Sequence, residues 1–553
     1  MVAAVPAAAT TYKAELTIMR SGAVAAVTGV MTPACEGRPV VLQYQSGSSW
    51  KPIGTAVNED AGGTIATQFS LAGLKQWTAR NYRLAATAAG GCAAATSPTI
   101  KFMPGPTSLG KNVTRIRTAG NITPSKKGDR YDQTVGTAQL CTGSDCSAAL
   151  PLELVGVRGD STALMAKKPY KVKFVDVVNP GPFGLPKGKR FDLLASYLDH
   201  SLLRDKMGLD LGKKLAARGD GFKWSPSTAF TELFFNDLYM GSYLFTEHVK
   251  IEPTTKKQKS APRVDIDKVF GMVLDVDGNA LASEDIGFKP KAGSGYNGQV
   301  PVIVFKDPDE LKKTADGSTD FEGFTEAKRT ALKARLTAME AVMYSNAKAG
   351  VGKSFTRAEI EPYIDIASAV DFYLIKEFTK DSDADFYKSQ MFFWNPKGVV
   401  DADGNPVLKD GDIQYADTNT PFFFGPAWDF DRSAGLKPNS YLTSSNWYMR
   451  GTGAYKASHV KHRTHWFVQL TKQAWFRQAI ADRWATVKGD FQAVGAADVQ
   501  AAYSTLSYTQ VKNDHSRWPA KRLFAARSKT ISGEMAWLAR WYTARYNWMN
   551  SHI

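Results

Sequence analysis

Short alternating runs fill the chain between residue 12 and about 104: "AELTIMR", "PVVLQYQ", "WKPIGTAV", "GTIATQFSL", "NYRLAATA" and "SPTIKFM". A period of two puts successive side chains on opposite faces of a strand. Turn residues recur between the runs, so a small β-sandwich is predicted. "MPGPTSLG" (103–110) interrupts this texture and reads as a linker. Beyond it, "LELVGVRGDSTALM" predicts a strand, a turn at Gly159 and a second extended piece, and "YKVKFVDV" a strand with alternating lysines. "FDLLASYLDHSLLRDKMGLDLGKKLAAR" carries Leu194, Leu198, Leu202, Met207, Leu211 and Leu215 at helical spacing, which predicts a helix over 191–215. "AFTELFFNDLYMGSYLFTEHVKI" reads as a hairpin. In the second half "ASAVDFYLIKEF" has the period of an amphipathic helix, and "SQMFFW" and "FFFGPAWDFD" read as strands. From about 461 onward the pattern is helical and rich in aromatic residues.

A chain of 553 residues exceeds what one hydrophobic core organises, so two or three domains are expected. Composition is that of an ordinary globular protein, and no run approaches the ~18 apolar residues of a membrane span. "MVAAVPAAAT" lacks a basic n-region and a long apolar core, and reads as a mature end left after signal-peptide removal, with Met1 added. Four cysteines allow three pairings; Cys141 and Cys146 bracket the short polar loop "CTGSDC", and Cys35–Cys92 with Cys141–Cys146 is the favoured set. An even count outside any metal-binding spacing fits an oxidising compartment. The net charge of +16 attracts anions, but the basic residues are scattered and form no nucleic-acid arm, so no nucleic-acid partner is expected.

Three stretches carry residue types suited to chemistry. In "VGVRGDSTALMAKKPYKVKF" a glycine turn with Ser161 and Thr162 offers hydroxyls and N–H groups that could cradle a phosphate, with Lys171 and Lys173 on one face of the next strand; an ordinary hairpin with solvated lysines would look the same. "KEFTKDSDADFYKSQMFFW" gathers Asp381, Asp383 and Asp385 just past a helix C-terminus, where the dipole disfavours them. In "GPAWDFDRSAG" Asp429 and Asp431 stand one residue apart, and on an extended chain both would face the same way. Two such carboxylates need a cation between them, either Mg²⁺ or a neighbouring Arg432 or Lys437.

Taken together these stretches resemble the CotH kinase family of secreted kinase-like proteins. The family's RGxST turn and KKPYKxKF strand are matched by Arg158 to Thr162 and Lys167 to Phe174, and its LLxxxxDxxLLRxKxxxDL pattern by Leu193 to Leu211. "ELFFNDLYMGSYLFTEHVK" and "GPAWDFDRSAG" complete the likeness, which covers about 110 to 550. The element order, three strands, a helix and two strands, is also that of a kinase N-lobe. The resemblance implies an α+β, two-lobed atypical protein-kinase-like domain over 106–553 (N-lobe about 106–252, C-lobe about 253–553), preceded by an all-β Ig-like sandwich over 1–105. It further implies ATP and Mg²⁺ (or Mn²⁺) as cofactors. Asp429 would then hold the metal with Asp431 as second ligand, and Asp383, or Asp385, would orient the substrate hydroxyl. Lys173, or Lys171, would contact the phosphates beneath Arg158, Ser161 and Thr162, and the backbone at Glu247 would lie beside adenine.

Two departures from the family pattern stand out. The span 191–215 has no glutamate for the usual Lys–Glu pair, leaving Asp199, Asp205 or Glu232 as substitutes, and Ser389 and Gln390 occupy the place of an Asn pair in many relatives. The implied function is a secreted, Mg-dependent kinase acting on Ser/Thr hydroxyls of an extracellular or cell-surface protein. The alternatives are an inactive kinase-like adhesion protein, or a kinase fold performing AMPylation or glutamylation.

Overall fold

The computed structural model describes residues 16–21, 24–118, 133–159, 161–250, 269–277, 287–288, 302–307, 311–313, 319–321, 326–347, 351–381, 388–436, 443–450, 466–519 and 526–553. The N-terminal alternating runs pair into two antiparallel sheets. One has the order β1 (Leu16–Ser21), β2 (Val24–Val30), β5 (Thr64–Ser70). The other joins β4 (Ser49–Asn58), β3 (Pro39–Ser46), β6 (Arg80–Ala86) and β7 (Ala95–Thr96), with β8 (Ile100–Phe102) also on β6. Ile18, Val27, Leu42, Ile65, Phe69, Tyr82 and Leu84 fill the space between them. Cys35 is bonded to Cys92, and Cys141 to Cys146.

The first half of the stretch expected as a linker is packed, while Thr107 and Ser108 are exposed. Residues 103 to 106 are buried, and Met103 shares a small core with Val113, Cys141, Phe234 and Tyr239, with Trp77 against it. Apolar Met103 and two prolines without N–H donors make a run that can be buried with few hydrogen bonds to satisfy.

The next strands close on themselves. β9 (Asn112–Thr118), β10 (Gln133–Thr142), β12 (Leu150–Val157), β13 (Tyr170–Val178), β14 (Gly188–Leu194), β16 (Leu238–Glu247) and β15 (Thr228–Phe235) pair in that order, and β9 returns to lie parallel to β15. The result is a seven-stranded barrel, to which the short β11 (Asp145–Cys146) adds as a hairpin on β10. Val155, Val172, Phe174, Phe191, Leu193, Leu233 and Phe245 pack inside it. Lys171 and Lys173 alternate with these residues and so lie on the outer face.

The helix expected over 191–215 is shorter. Phe191–Leu194 end β14, and helix α1 spans Arg204–Ala217. Leu194, Leu198 and Leu202 are buried, as their spacing implied, but they reach the core through a turn with positive φ at Ser196 (44°) and Leu202 (60°). Asp199 stabilises that turn by accepting from the N–H groups of Ser201 (2.8 Å) and Arg204 (2.9 Å), a local alternative to helix that short acidic side chains favour. The piece after Gly159 is likewise a 3₁₀ turn, Ser161–Leu164, and not a strand.

A second sheet has the order β18 (Gly287–Phe288), β19 (Val302–Asp307), β17 (Met272–Asp277), β20 (Lys388–Trp394), β21 (Phe422–Phe424). The strand of "FFFGPAWDFD" therefore stops at Phe424. Around it lie α2 (Glu326–Met343), α3 (Ile366–Thr379), α4 (Trp466–Lys472), α5 (Ala474–Ala493), α6 (Val499–Leu506), α7 (Tyr508–Arg517) and α8 (Ile531–His552). α3 is buried on every side and not amphipathic: Phe372 stacks on Phe467 and Phe378 on Tyr542. Among the described residues, no helix is long and apolar enough to cross a membrane.

The barrel is fastened to α7 by a buried charge pair. Lys167, at the start of the KKPYKxKF stretch, places its ammonium 2.5 Å from Asp514, and both side chains are fully buried. Lys167 also donates to the carbonyl of Ser242, whose N–H donates to Asp514 at 2.9 Å. Removing one member leaves the other charge buried without its partner, at a cost of roughly 3–5 kcal/mol. Lys167→Met should therefore lower unfolding stability by about that amount in urea titrations. The double variant Lys167→Met/Asp514→Leu should lose less than the sum of the two single losses; strict additivity would show that the pair is not coupled.

Candidate active site

Three segments distant in sequence converge where the outside of the barrel meets the second sheet. The first is the turn that leaves β12 after Val157. Gly159 has φ +85°, and a Cβ there would come within 2.1 Å of the Thr162 hydroxyl, so this turn accepts only glycine. The second is the start of α1. The third is the loop after β21, which holds Trp428 to Leu436.

That loop is clamped from several sides. Arg204, fully buried, donates to the carbonyls of Ser433 (3.0 Å) and Ala434 (3.2 Å) while its charge is met by Asp199. Lys376 of α3 donates to the carbonyl of Trp428 and pairs with Asp381 at 2.8 Å. Asp205, in the first turn of α1, accepts the N–H of Phe430 at 3.0 Å. One turn on, Gly208 lets α1 lie directly against the Phe430 ring, because a Cβ there would sit 2.3 Å from it. The acids flanking Phe430 therefore reach one cavity, though not by the strand alternation expected. Asp429 is left-handed (φ +67°), and the backbone turns between the two.

The cavity has a volume of about 290 Å³. Leu194, Val249 and Met391 supply apolar wall, while Arg158, Ser161, Thr162, Asp429, Asp431 and Arg432 line the polar part. Asp192, Asp205, Asp275, His248, Lys306 and Ser389 add further ionisable and polar lining. Five aspartates against three fixed cations (Arg158, Lys306, Arg432) give the wall an excess of negative charge.

Each carboxylate is handled differently. Burial would raise the pKa of Asp192, but the charges of Arg158 (3.3 Å) and His248 (Nδ1 at 2.9 Å), together with Lys171, outweigh it and hold the group below the ordinary aspartate value. Asp275 is matched by Lys306 at 3.4 Å. Asp205 goes the other way: burial first, then the charges of Asp429 and Asp199, push it up to about 7 against the favourable Phe430 N–H. Ser389 donates to Asp429 Oδ2 at 2.6 Å, and Ser389 too is left-handed (φ +59°). Strained backbone at both partners of one contact is typical of a site whose geometry the surroundings enforce.

Of the residues singled out in the sequence, Arg158, Ser161, Thr162, Asp429 and Asp431 come together on this cavity. Lys171 stands opposite Asp192 in the β13–β14 register and contributes to its electrostatic setting. Lys173 is two residues further along, with its ammonium 2.8 Å from Glu153 and off the cavity wall. Glu247 is buried in β16, accepting the N–H of Ser227 at 2.8 Å; the next two residues, His248 and Val249, reach the cavity. Asp383 and Asp385 lie outside the described residues. Among the proposed substitutes for the missing glutamate, Asp199 serves Arg204, and Glu232 faces Tyr239 (2.5 Å) and the N–H of Gly110. Asp205 is the one that lines the cavity.

Sequence reasoning assigned no site role to Asp192, His248, Asp275 or Lys306, and named Arg432 only as an alternative partner of the two acids. Arg432 and His248 sat inside quoted motifs, while Asp275 and Lys306 are single polar residues in apolar strands that only pairing brings to one place.

The donor set suits a hard divalent cation. Burial, and after it the charges of Asp429 and Asp199, raise the proton affinity of Asp205, and a cation held by Asp429 would offset the second of these causes. Among the described residues no three His, Cys, Asp or Glu side chains converge as a complete cage. Mg²⁺ needs none, since it is held by one or two carboxylates with phosphate oxygens and water completing the shell.

A comparison with curated protein sequences gives no significant match. The family model described as CotH kinase protein matches residues 155–549, from the end of β12 to the last turns of α8. With the turn at Gly159, the start of α1 and the Asp429 loop all inside that match, the chain belongs to the CotH kinase family.

Proposed function

We propose that the protein is a kinase-like phosphotransferase that moves the γ-phosphoryl group of ATP, with Mg²⁺ or Mn²⁺, to Ser/Thr hydroxyls of an extracellular or cell-surface protein. The observation that carries this reading is the meeting of the Arg158–Thr162 turn and the Asp429–Arg432 loop on one cavity whose wall is partly apolar and partly ionic. In this reading Leu194, Val249 and Met391 flank the base beside the backbone that follows Glu247. Arg158, Ser161 and Thr162 cover the phosphates, with Lys171 and Lys173 adding positive potential from β13. Asp429 and Asp431 hold the metal, which when bound neutralises charge on the phosphate oxygens. Asp383, or its neighbour Asp385, orients the hydroxyl: its oxygen bonds to the γ-phosphorus as the bond to the β-phosphate oxygen breaks, and the hydroxyl proton passes to the carboxylate.

The barrel then serves as the upper lobe of a two-lobed domain over 106–553, with the second sheet and its helices as the lower one. The two-sheet module of 1–105 serves as an Ig-like contact or spacer. Two disulfides, and a +16 net charge facing an anionic surface, agree with work outside the cytoplasm.

Asp429→Asn keeps the shape and removes the charge that would anchor the metal, so phosphoryl transfer should fall roughly 10²-fold or more. Its melting temperature should stay level or rise, because one of two crowded carboxylates is neutralised, while the stabilisation by Mg²⁺–ATP should vanish. Asp383→Asn should behave oppositely in one respect: nucleotide still stabilises the fold, but transfer is lost. Incubation with ATP and metal, read by intact-protein mass, checks both and identifies the group transferred. Wild-type rates from Asp429→Asn would sink the metal assignment. An added AMP or glutamate would replace phosphotransfer with a different reaction of the same fold, and no product at all would favour an inactive adhesion protein.

A further inference from the structure

One face of the N-terminal module has a composition that its fold does not require. In the sheet of β4, β3, β6 and β8, the inner positions, among them Leu42, Tyr82, Leu84 and Phe102, pack toward the other sheet. The residues that alternate with them point outward. Gln45 of β3 stands opposite Trp50 of β4, and its amide oxygen accepts from the Asn81 side chain of β6 at 2.7 Å. Asn81 in turn stands opposite Lys101 of β8, which is exposed. An indole, two amides and an ammonium thus form one row across four strands, about 14 Å long at a strand spacing of about 4.8 Å. Beside this row Arg83 donates to the Gln43 amide oxygen at 3.0 Å, and its guanidinium lies 4.2 Å over the Trp50 ring.

The charge of this sheet is one-sided. Neither 39–58 nor 80–102, which together hold all its strands, contains an aspartate or a glutamate, whereas Lys51, Arg80, Arg83 and Lys101 are basic. We propose that the outer face binds an acidic polysaccharide, a chain of sugar rings that bear carboxylates. This gives the two-sheet module a ligand class and a surface, and it is independent of the nucleotide reading of the cavity.

Each part of the face answers to one part of such a chain. A sugar ring has an apolar C–H face, which an indole covers without needing charge, and Trp50 is half-buried, its ring held by Arg83. Sugar hydroxyls both donate and accept. Asn81 uses one N–H on Gln45, and Gln43 and Gln45 use their oxygens on Arg83 and Asn81, so the Asn81 carbonyl and two amide NH₂ groups stand side by side for a ligand. Hydroxyls match both kinds of group, whereas a phosphodiester backbone only accepts. The carboxylates meet cations that no acid of the same sheet competes for, and the planar guanidinium of Arg83 suits them geometrically.

The test is binding of the full chain to immobilised polymers at physiological salt. Alginate and polygalacturonate carry carboxylates on sugar rings; dextran has the rings without the charge, polyglutamate the charge without the rings, and oligo-dT a phosphate backbone with stacking bases. At least one of the two uronate polymers should bind about 10-fold or more tighter than the other three. Trp50→Ala and Arg83→Met should each weaken that binding about 10-fold or more, as loss of an aromatic or arginine anchor does. Lys101→Met should weaken it about 2- to 5-fold, the share of one exposed ion pair, and Lys187→Met, at an exposed position on the barrel, should leave it level. Polyglutamate binding as tightly as the uronates would reduce the face to bare charge and overturn the proposal. So would equal binding of dextran, tighter binding of oligo-dT, no binding of either uronate, or an unchanged affinity in Trp50→Ala. Should Trp50→Ala or Arg83→Met fail to fold, Lys101→Glu decides: a loss of uronate binding beyond that of Lys187→Glu supports the face, and an equal affinity of the two variants overturns it.

Discussion

The site depends on how α1 meets the loop that follows it by more than two hundred residues. Arg204 carries a full charge in a place with no solvent, which is tolerable only because Asp199 and the carbonyls of Ser433 and Ala434 surround it. Such a pair is weak evidence for net stability, since desolvation consumes most of the attraction. Its effect is positional. With Arg204 locked, Asp205 is held where it meets the Phe430 N–H, and Phe430 sits on Gly208. Asp429 and Asp431, on either side of Phe430, then have one available direction, into the cavity.

The same device recurs wherever distant parts of the chain must agree. Lys167 and Asp514 join barrel to α7, Lys376 and Asp381 hold the end of α3 under Trp428, and Arg545 of α8 meets Glu377, which also accepts the N–H groups of Tyr448 and Met449. All of these side chains are fully buried. An unpartnered charge at any of them would be prohibitive, so alternative packings of the C-terminal helices are penalised even where their aromatic faces could slide. Apolar contacts supply most of the cohesion; the ion pairs select one arrangement among many that would bury similar area.

Charge is unevenly matched around the cavity wall. Asp192 and Asp275 are matched by Arg158, His248 and Lys306 on the wall. At the other end burial, and after it the charges of Asp429 and Asp199, raise the proton affinity of Asp205. In the proposed function a divalent ion would meet these carboxylates together with the phosphates. The left-handed backbone at Asp429 and Ser389 keeps the two groups 2.6 Å apart despite the strain.

Local pattern in the sequence was enough for the alternating strands and the long aromatic helices of the C-terminal third, because period and turn chemistry are properties of neighbouring residues; that Arg158, Ser161, Thr162, Asp429 and Asp431 line one cavity was implied by the family resemblance. It failed where the same local signal has two outcomes. Leu194, Leu198 and Leu202 have helical spacing, but burial needs only that they point inward, and a turn held by Asp199 achieves it. "MPGPTSLG" has the composition of a linker, yet Met103 finds Trp77 and Tyr239 waiting. Closure of the barrel by the parallel β9–β15 pair, the arrival of Asp205, Asp192 and Asp275 at one wall, and the exclusion of Lys173 from it depend on contacts between residues tens to hundreds apart. No local rule encodes those, because hydrogen-bond pairing between strands and the partnering of buried charges are settled only when the whole chain has packed.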